Sequence, residues 1–540
     1  MAYEGPRAYR PLILGRRGAV ASNHPLATQA GLLALQAGGH AVDAALAVAA
    51  TLSVVEPMMS GLGGDGFYHV HDRRSGEAVV FNGTGAAPGA ATPERYAAGI
   101  PFSGPLAVSV PGSVGAWGAM HARFGRRPWS AAFEAAVHYA REGFGATRAY
   151  RHFAGEQRAA LAADPRSARV FLRDGEAPAV GAPIVQADLA RTLEVLAAEG
   201  ADAFYRGALG RVVAAGLRAA GSLVSAEDLA ACEPEVQRPI EVAYRGYVVR
   251  EAPPNSMGWV LLQELLMVEA FDLAGMGLGS ADLVHTLVEA KKLAFADRER
   301  WSGDPRAVTV PLDTLLSRAY AARRAAEIDP RKAMPSPVSA GAVGSGDTTY
   351  FCVVDGEGNA VSGIQSINSA FGSGVTAGDT GILLNNRMTP WHLEPGHPNR
   401  LRPGQRVRHT MNPPMVLKDG ELWAVLGTPG GDYQVQVNLQ VLTAMLDLGL
   451  DPQQAAEMPR WSSTQPGQEA NYPHACPDAL NLEARFPADV REDLAGRGHP
   501  VVVLGDLEGP CSIEIIRRDA ATGMLMAGSD PRRDGWALAY

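Results

Sequence analysis

Gly346-Asp347-Thr348-Thr349-Tyr350, continuing as Phe351-Cys352-Val353-Val354, is the stretch on which the reading of this sequence turns. Upstream of it, residues 333–346 are dominated by Pro, Ser, Ala and Gly, the composition of a flexible connector. Downstream, 350–354 and 360–367 read as two strands joined by a turn through Asp355, Gly356, Glu357 and Gly358. A threonine therefore stands where loose chain meets a strand. Its hydroxyl is a weak nucleophile, but a cut before Thr348 frees an α-amine on the same residue to act as its base. Taken alone, a Thr-Thr pair opening a strand is ordinary, because threonine favours strands.

Working outward, 26–37 reads as a helix stopped by Gly38 and Gly39, and Asp43 as the cap of an alanine-rich helix ending near Pro57. Residues 67–72 and 78–82 read as a hairpin turning through Ser75 and Gly76. From 129 to 231 helical patterns dominate, with 131–142 and 187–199 the clearest, and 283–301 reads as a long helix capped by Asp282. Beyond the Thr348 strand pair, 381–384, 414–417, 422–426 and 512–517 read as strands, and 434–448 and 488–496 as helices. The mixture predicts layered sheets and helices, with the main boundary at the end of the connector.

Composition excludes several classes. Hydrophobic residues at 46% and charged residues at 19% describe a globular chain with a large core, neither disordered nor fibrous. A net charge of -9 with no basic cluster argues against a nucleic-acid partner and for a small-molecule ligand. The four cysteines, Cys232, Cys352, Cys476 and Cys511, are scattered, so neither a zinc ribbon nor a disulfide framework is indicated. No apolar run has signal-peptide or membrane-span length, and the expectation is a cytoplasmic protein without a membrane partner.

Two motifs have blander readings. Gly61, Gly63 and Gly66 in GLGGDG match the dinucleotide fingerprint, yet a helix enters and a strand leaves, the reverse of the order that aims a helix N-terminus at a pyrophosphate. Close backbone packing is the better reading, and no cofactor is expected. His69 and His71 place two imidazoles on one strand face, but His285, His409 and the other histidines lack a supporting pattern, so no metal is expected either.

Over nearly its whole length the chain resembles the gamma-glutamyltransferase family. The resemblance rests on AVASNHPLATQAGLLALQAGGHAVDAALA, EPMMSGLGGDGF, VPGSVGAW, DTTYFCVVDGEGNAVSGIQSINSAFGSGV, GILLNNRM, GTPGG and SDPRRDG, in that order. It implies an α+β fold, a four-layer αββα N-terminal-nucleophile sandwich with an additional helical lobe. It also implies self-cleavage between Asp347 and Thr348 into a large subunit (1–347) and a small catalytic subunit (348–540) that stay associated, further homo-oligomerisation being left open. By position, Thr348 is the implied nucleophile, Ser366 its support, Gly430 and Gly431 the oxyanion hole, and Asn368 a ligand of the donor's α-amino group.

The sequence departs from the family's usual pattern around the donor. Arg387 replaces a glutamine, Thr389 and Pro390 an acidic pair, His409 and Thr410 a serine pair, and Thr84 falls near the family's arginine. Losing an acid and gaining a cation disfavours an ammonium and favours a carboxylate, with Arg387, His409, Thr410 and Thr84 as substrate-binding residues. The expected substrate is an amide of a small carboxylate-bearing acyl group, such as oxamate or a glutaryl or succinyl amide, cleaved with water as acceptor. A gamma-glutamyl or glutathione hydrolase and a non-catalytic ligand-binding relative are the alternatives.

Overall fold

The computed structural model describes residues 8–336 and 348–540. Thr349–Asp355 and Ala360–Ser366 form the expected antiparallel pair, with Thr349 opposite Gln365 and Val354 opposite Ala360. Every residue of both strands is buried, so both faces must be covered. Gly18–Ser22 pairs along one side and Asp65–Asp72 along the other, consuming the remaining backbone groups.

The antiparallel sheet so built runs Trp536–Ala539, Gly18–Ser22, Thr349–Asp355, Ala360–Ser366, Asp65–Asp72, Glu77–Gly83, Glu235–Gln237. A second runs Ile13–Gly15, Leu525–Ser529, Glu514–Arg518, Glu421–Gly427, Met415–Lys418, Tyr247–Glu251, Ile240–Tyr244. Both sheets interleave strands from before and after Thr348.

The period-two alternation of the Thr349–Asp355 strand assigns its two faces. Tyr350, Cys352 and Val354 point between the sheets, where they meet Phe67, Ile364, Met415, Val425 and Ile516. Phe351 and Val353 point outward into an apolar layer formed by Pro25–Gln36, Ala41–Val55 and the helices between Ser113 and Ala220. All of Ala41–Val55 is buried, which its alanines permit by letting neighbouring backbones approach. Gly258–Val268, Ala281–Trp301 and Tyr433–Leu446 cover the second sheet in the same way. The result is the four-layer αββα sandwich, and the expected helical lobe is an enlargement of its first outer layer.

Several local expectations are corrected. Asp43 is not the cap of its helix: His40 is, accepting from Val42 N–H at 3.1 Å, while Asp43 closes the box by accepting from His40 N–H at 2.7 Å. Ser280, not Asp282, caps Ala281–Trp301, and Asp282 lies in the first turn, where it complements the helix dipole. Residues 131–142 divide into a tight 3-10 segment, Trp129–Phe133, and the helix Glu134–Glu142. The expected strand at 381–384 makes only isolated bridges, Leu384 to Gly63 and Leu383 to Thr376, because this apolar run is buried against a loop rather than a ladder. That loop is GLGGDG. A Cβ on Gly63 would lie 2.2 Å from the Leu383 carbonyl oxygen and one on Gly64 2.3 Å from that of Ser366, so these glycines permit a backbone-to-backbone seam.

The SDPRRDG stretch folds into a buried ionic knot. Asp530, fully buried, accepts from Arg460 Nη1 at 2.7 Å and Arg532 Nη1 at 3.0 Å, and Glu483 accepts from Arg532 Nε at 2.7 Å. Burial alone would raise the Asp530 carboxyl, but the two guanidinium groups outweigh it and hold it at about 2. Asp530→Ala strands the buried Arg460 guanidinium, while Arg532 keeps Glu483, and is expected to cost about 3–5 kcal/mol in urea unfolding. Because the folded-state value is depressed, the Asp530 contribution is present above the unfolded value of roughly 4 and is lost as pH falls toward about 2. Among the described residues no helix is long and apolar enough to cross a membrane.

Candidate active site

Thr348 lies just before the first residue of the Thr349–Asp355 strand and is only 2% exposed. Its Oγ1 donates to Ser366 Oγ at 3.3 Å, and Ser366 Oγ also accepts from Asn368 N–H at 2.8 Å. The antiparallel register explains the meeting: Thr349 is opposite Gln365, which sets the preceding threonine beside Ser366. Asp347 lies outside the described residues, as does most of the 333–346 connector.

The next strand brings in a residue that sequence reading passed over. Asp65, the acid inside GLGGDG, is the register partner of Ser366 and so shares its face of the sheet. Its Oδ1 accepts from Gly85 N–H at 2.8 Å, and its Oδ2 lies 3.3 Å from Arg387 Nε and 3.6 Å from His409 Nε2. All three side chains are at most 2% exposed. Desolvation, only partly offset by Asp65, lowers the Arg387 guanidinium to about 10, and burial beside Arg387 lowers the His409 imidazole to about 4. Arg387 is therefore a cation and His409 neutral at pH 7.

Asn368 organises this group. It adopts a left-handed φ of +83°, its Oδ1 accepts from Arg387 Nη1 at 2.6 Å, and its Nδ2 faces Asn386, Thr389 and Asn471 oxygens at 2.8–3.0 Å. Its amide hydrogens are thus engaged within the protein. Thr84 is likewise held internally: Oγ1 donates to Asn82 Oδ1 at 2.7 Å and its carbonyl accepts from Arg406 Nε at 2.8 Å, one residue before the Gly85 N–H that binds Asp65. Within the described residues Asp65 Oδ2, Arg387 Nε and Nη2, and both ring nitrogens of His409 make no hydrogen bond. Asp65 Oδ2 and Arg387 Nε face each other as an ion pair, which leaves Arg387 Nη2 and the His409 ring as the buried polar atoms able to receive a polar group.

On the other side of Thr348, Glu421–Gly427 ends in Thr428-Pro429-Gly430-Gly431 and the chain enters Tyr433–Leu446. Gly430 and Gly431 have φ values of +122° and +54°, which turn this loop into the helix N-terminus, where free N–H groups favour negative charge. Gln434 spans the gap. Its carboxamide is 3.5 Å from Thr348 Oγ1, and the orientation that satisfies both ends turns the oxygen to Gly431 N–H at 3.3 Å and the nitrogen to the Thr410 carbonyl at 3.0 Å. Contacts thus link Thr348 through Ser366 and Asn368 to Arg387, Asp65 and His409, and through Gln434 to Thr410 and Gly431, the neighbour of Gly430; Thr84 is joined only by way of Gly85, its side chain being held by Asn82. Sequence reading saw only glycines around Asp65 and only a helix start at Gln434, although its position three residues after Gly431 was an available signal.

The family model described as Gamma-glutamyltranspeptidase matches residues 27–540. The chain is 39% identical to the Glutathione hydrolase-like YwrD proenzyme of Bacillus subtilis (strain 168), over 97% of this chain and 99% of that one. It is 38% identical to the Acylase ACY 1 proenzyme of Pseudomonas sp. (strain SE83), over 97% and 94%. Among solved structures, the cephalosporin acylase from Bacillus halodurans superposes with a TM-score of 0.90 at 35% identity, covering 100% of this chain and 98% of that one. With the αββα sandwich and a continuous match over the strands that carry the site, the chain belongs to the gamma-glutamyltranspeptidase family and is an amide-bond hydrolase of that type.

Proposed function

We propose that the protein cuts its own chain between Asp347 and Thr348 and then hydrolyses an amide of a small carboxylate-bearing acyl group through an ester on Thr348. The observation that carries this reading is the buried Thr348 Oγ1, at the head of a central strand and 3.3 Å from Ser366 Oγ, beside the unspent donors of Arg387 and His409. Relatives named as proenzymes and acylases support it.

In this mechanism the new α-amine takes the Thr348 hydroxyl proton as Oγ1 attacks the amide carbon, while Ser366 Oγ fixes the hydroxyl's direction. The oxyanion forms against the N–H groups of Gly430 and Gly431, displacing the Gln434 oxygen from its 3.3 Å contact with Gly431 N–H, each such donor contributing about 2.7–4 kcal/mol to the transition state. The α-ammonium returns the proton to the departing amine, and water, activated by the same amine, hydrolyses the ester. Arg387 Nη2 and a His409 N–H receive the acyl carboxylate, Asn368 holds Arg387 in place, and Thr410 and Thr84 carry the loops behind it.

Asp65 favours a second reading. Its Oδ2, ion-paired to Arg387 Nε at 3.3 Å without a hydrogen bond of normal geometry, can accept from an α-ammonium, which would replace the acid missing at Thr389 and Pro390 and admit a gamma-glutamyl donor. Glutaryl and gamma-glutamyl p-nitroanilide differ only in that ammonium, so their relative kcat/KM separates the two. A glutaryl preference of tenfold or more is expected; the reverse preference selects the gamma-glutamyl hydrolase, and turnover of neither by cleaved protein rejects both. Arg387→Gln removes a charge-assisted bond and is expected to lower kcat/KM for the glutaryl amide about 10- to 100-fold, mostly through KM.

A further inference from the structure

The sequence offered no partner for His285, but the fold supplies two. His285 and Glu289 are one helical turn apart on Ala281–Trp301 and therefore share a face. His499, from the loop after Ala488–Gly496, packs against that face with its Nε2 2.8 Å from His285 Nδ1. One ligand atom from each of the three lies within 4.8 Å of the other two, and the residues are 0%, 0% and 4% exposed.

The arrangement is prepared beyond mere proximity. His285 Nε2 faces the Asp329 carbonyl at 2.7 Å; a carbonyl only accepts, so Nε2 carries the hydrogen and Nδ1 presents a lone pair to the cluster. With no metal bound, His499 must donate from Nε2, which leaves its Nδ1 as a buried atom with no hydrogen-bond partner. Lys292 supplies the cluster's positive charge, its Nζ 2.8 Å from Glu289 Oε1 and 3.1 Å from the Met334 carbonyl. The other histidine–carboxylate group, Glu299, His392 and His397, is already bridged by a fixed cation. Arg408 donates there to Glu299 Oε2 at 2.7 Å and to His392 Nε2 at 3.3 Å.

We propose that His285, Glu289 and His499 bind a divalent cation of the zinc class, two neutral imidazoles and one carboxylate being a donor set such ions accept with water in the fourth position. On binding, the Lys292 ammonium swings off Glu289, and the proton between the imidazoles moves to His499 Nδ1 as both facing nitrogens turn to the metal. The ion ties down the segment 329–334, which docks on the same helix. Its present ties are the Asp329 carbonyl on His285 and Met334 N–H on Glu289 Oε2 at 2.8 Å, with Ala333 N–H on the Arg497 carbonyl at 2.8 Å. Zinc is therefore expected to hold residues 329–334 more firmly against Ala281–Trp301.

The test is equilibrium binding of zinc chloride to the full-length, untagged protein after chelator treatment, followed by calorimetry and elemental analysis. One zinc per chain is expected, with affinity lowered at least about tenfold by His499→Ala or Glu289→Gln and unchanged by His397→Ala. Lys292→Met, which removes the competing ammonium, is expected to tighten binding. That gain cannot come from misfolding and decides the matter if the ligand variants fail to fold. Absence of saturable one-to-one binding, loss that follows His397 instead of His499, or a Lys292 variant that binds as wild type overturns the proposal.

Discussion

Thr348→Ala is expected to give one uncut chain with no measurable amide hydrolysis, where the wild type gives two fragments divided between Asp347 and Thr348. Removal of a nucleophile that also supplies the base takes away both halves of the chemistry, so activity should fall by at least about three orders of magnitude. The fold should survive. Only Oγ1 and a methyl group are lost from a residue whose hydroxyl makes one long contact with Ser366, 3.3 Å, and one at 3.5 Å with Gln434. Intact mass and circular dichroism, before and after incubation near neutral pH, check both halves. An uncut wild type would falsify self-activation, while a cleaved, active alanine variant would remove Thr348 from the mechanism.

Gly430→Ala should have the next largest effect, a loss of about 10²- to 10³-fold in kcat with KM little changed. At φ +122° an L-residue is strained, and the added Cβ would meet Cys511 Sγ at 2.3 Å. The peptide must rotate, turning the Gly430 and Gly431 N–H groups away from the developing oxyanion. Gly396→Ala is the control. That residue also has positive φ, +87°, but nothing lies within 4 Å of its added Cβ, so it should cost about 1 kcal/mol of stability and no rate. Equal losses in both variants would mean that strain alone, not donor geometry, sets the rate.

The strands around Thr348 were legible because β-branched and aromatic runs separated by Gly-Glu-Gly turns admit few readings. Ala187–Glu199 and Ala488–Gly496 were readable to the residue because glycine lies at or just after each end. Helix starts were less legible: Asp43 and Asp282 resemble caps, but a cap is defined by backbone angle, and His40 and Ser280 hold that angle. The run at 381–384 failed because a short apolar segment reads alike in a ladder and under a loop. At the site, Thr348, Ser366 and the glycine pair could be placed from ordered motifs. The charge around Arg387 could not, because Asp65 reaches it through sheet register. Arg387 taken alone suggested a free cation, and pairing with Asp65 turns it into half of a dipole.

The alternation of strands from before and after Thr348 has a consequence for the lifetime of the enzyme. Thr349–Asp355 is wedged between Gly18–Ser22 and Asp65–Asp72 by way of its hairpin partner, and Glu514–Arg518 and Met415–Lys418 share their sheet with Tyr247–Glu251. With the chain cut before Thr348 as proposed, neither piece would hold a whole sheet. The uncut chain can find this arrangement by a unimolecular search, whereas two released pieces would have to meet first, each exposing unpaired strand edges that invite aggregation. If the chain is cut as proposed, maturation acts as a ratchet: the precursor carries the folding instructions, and the two-piece enzyme is expected to regain its activity after denaturation far less completely than the uncut Thr348→Ala chain regains its fold.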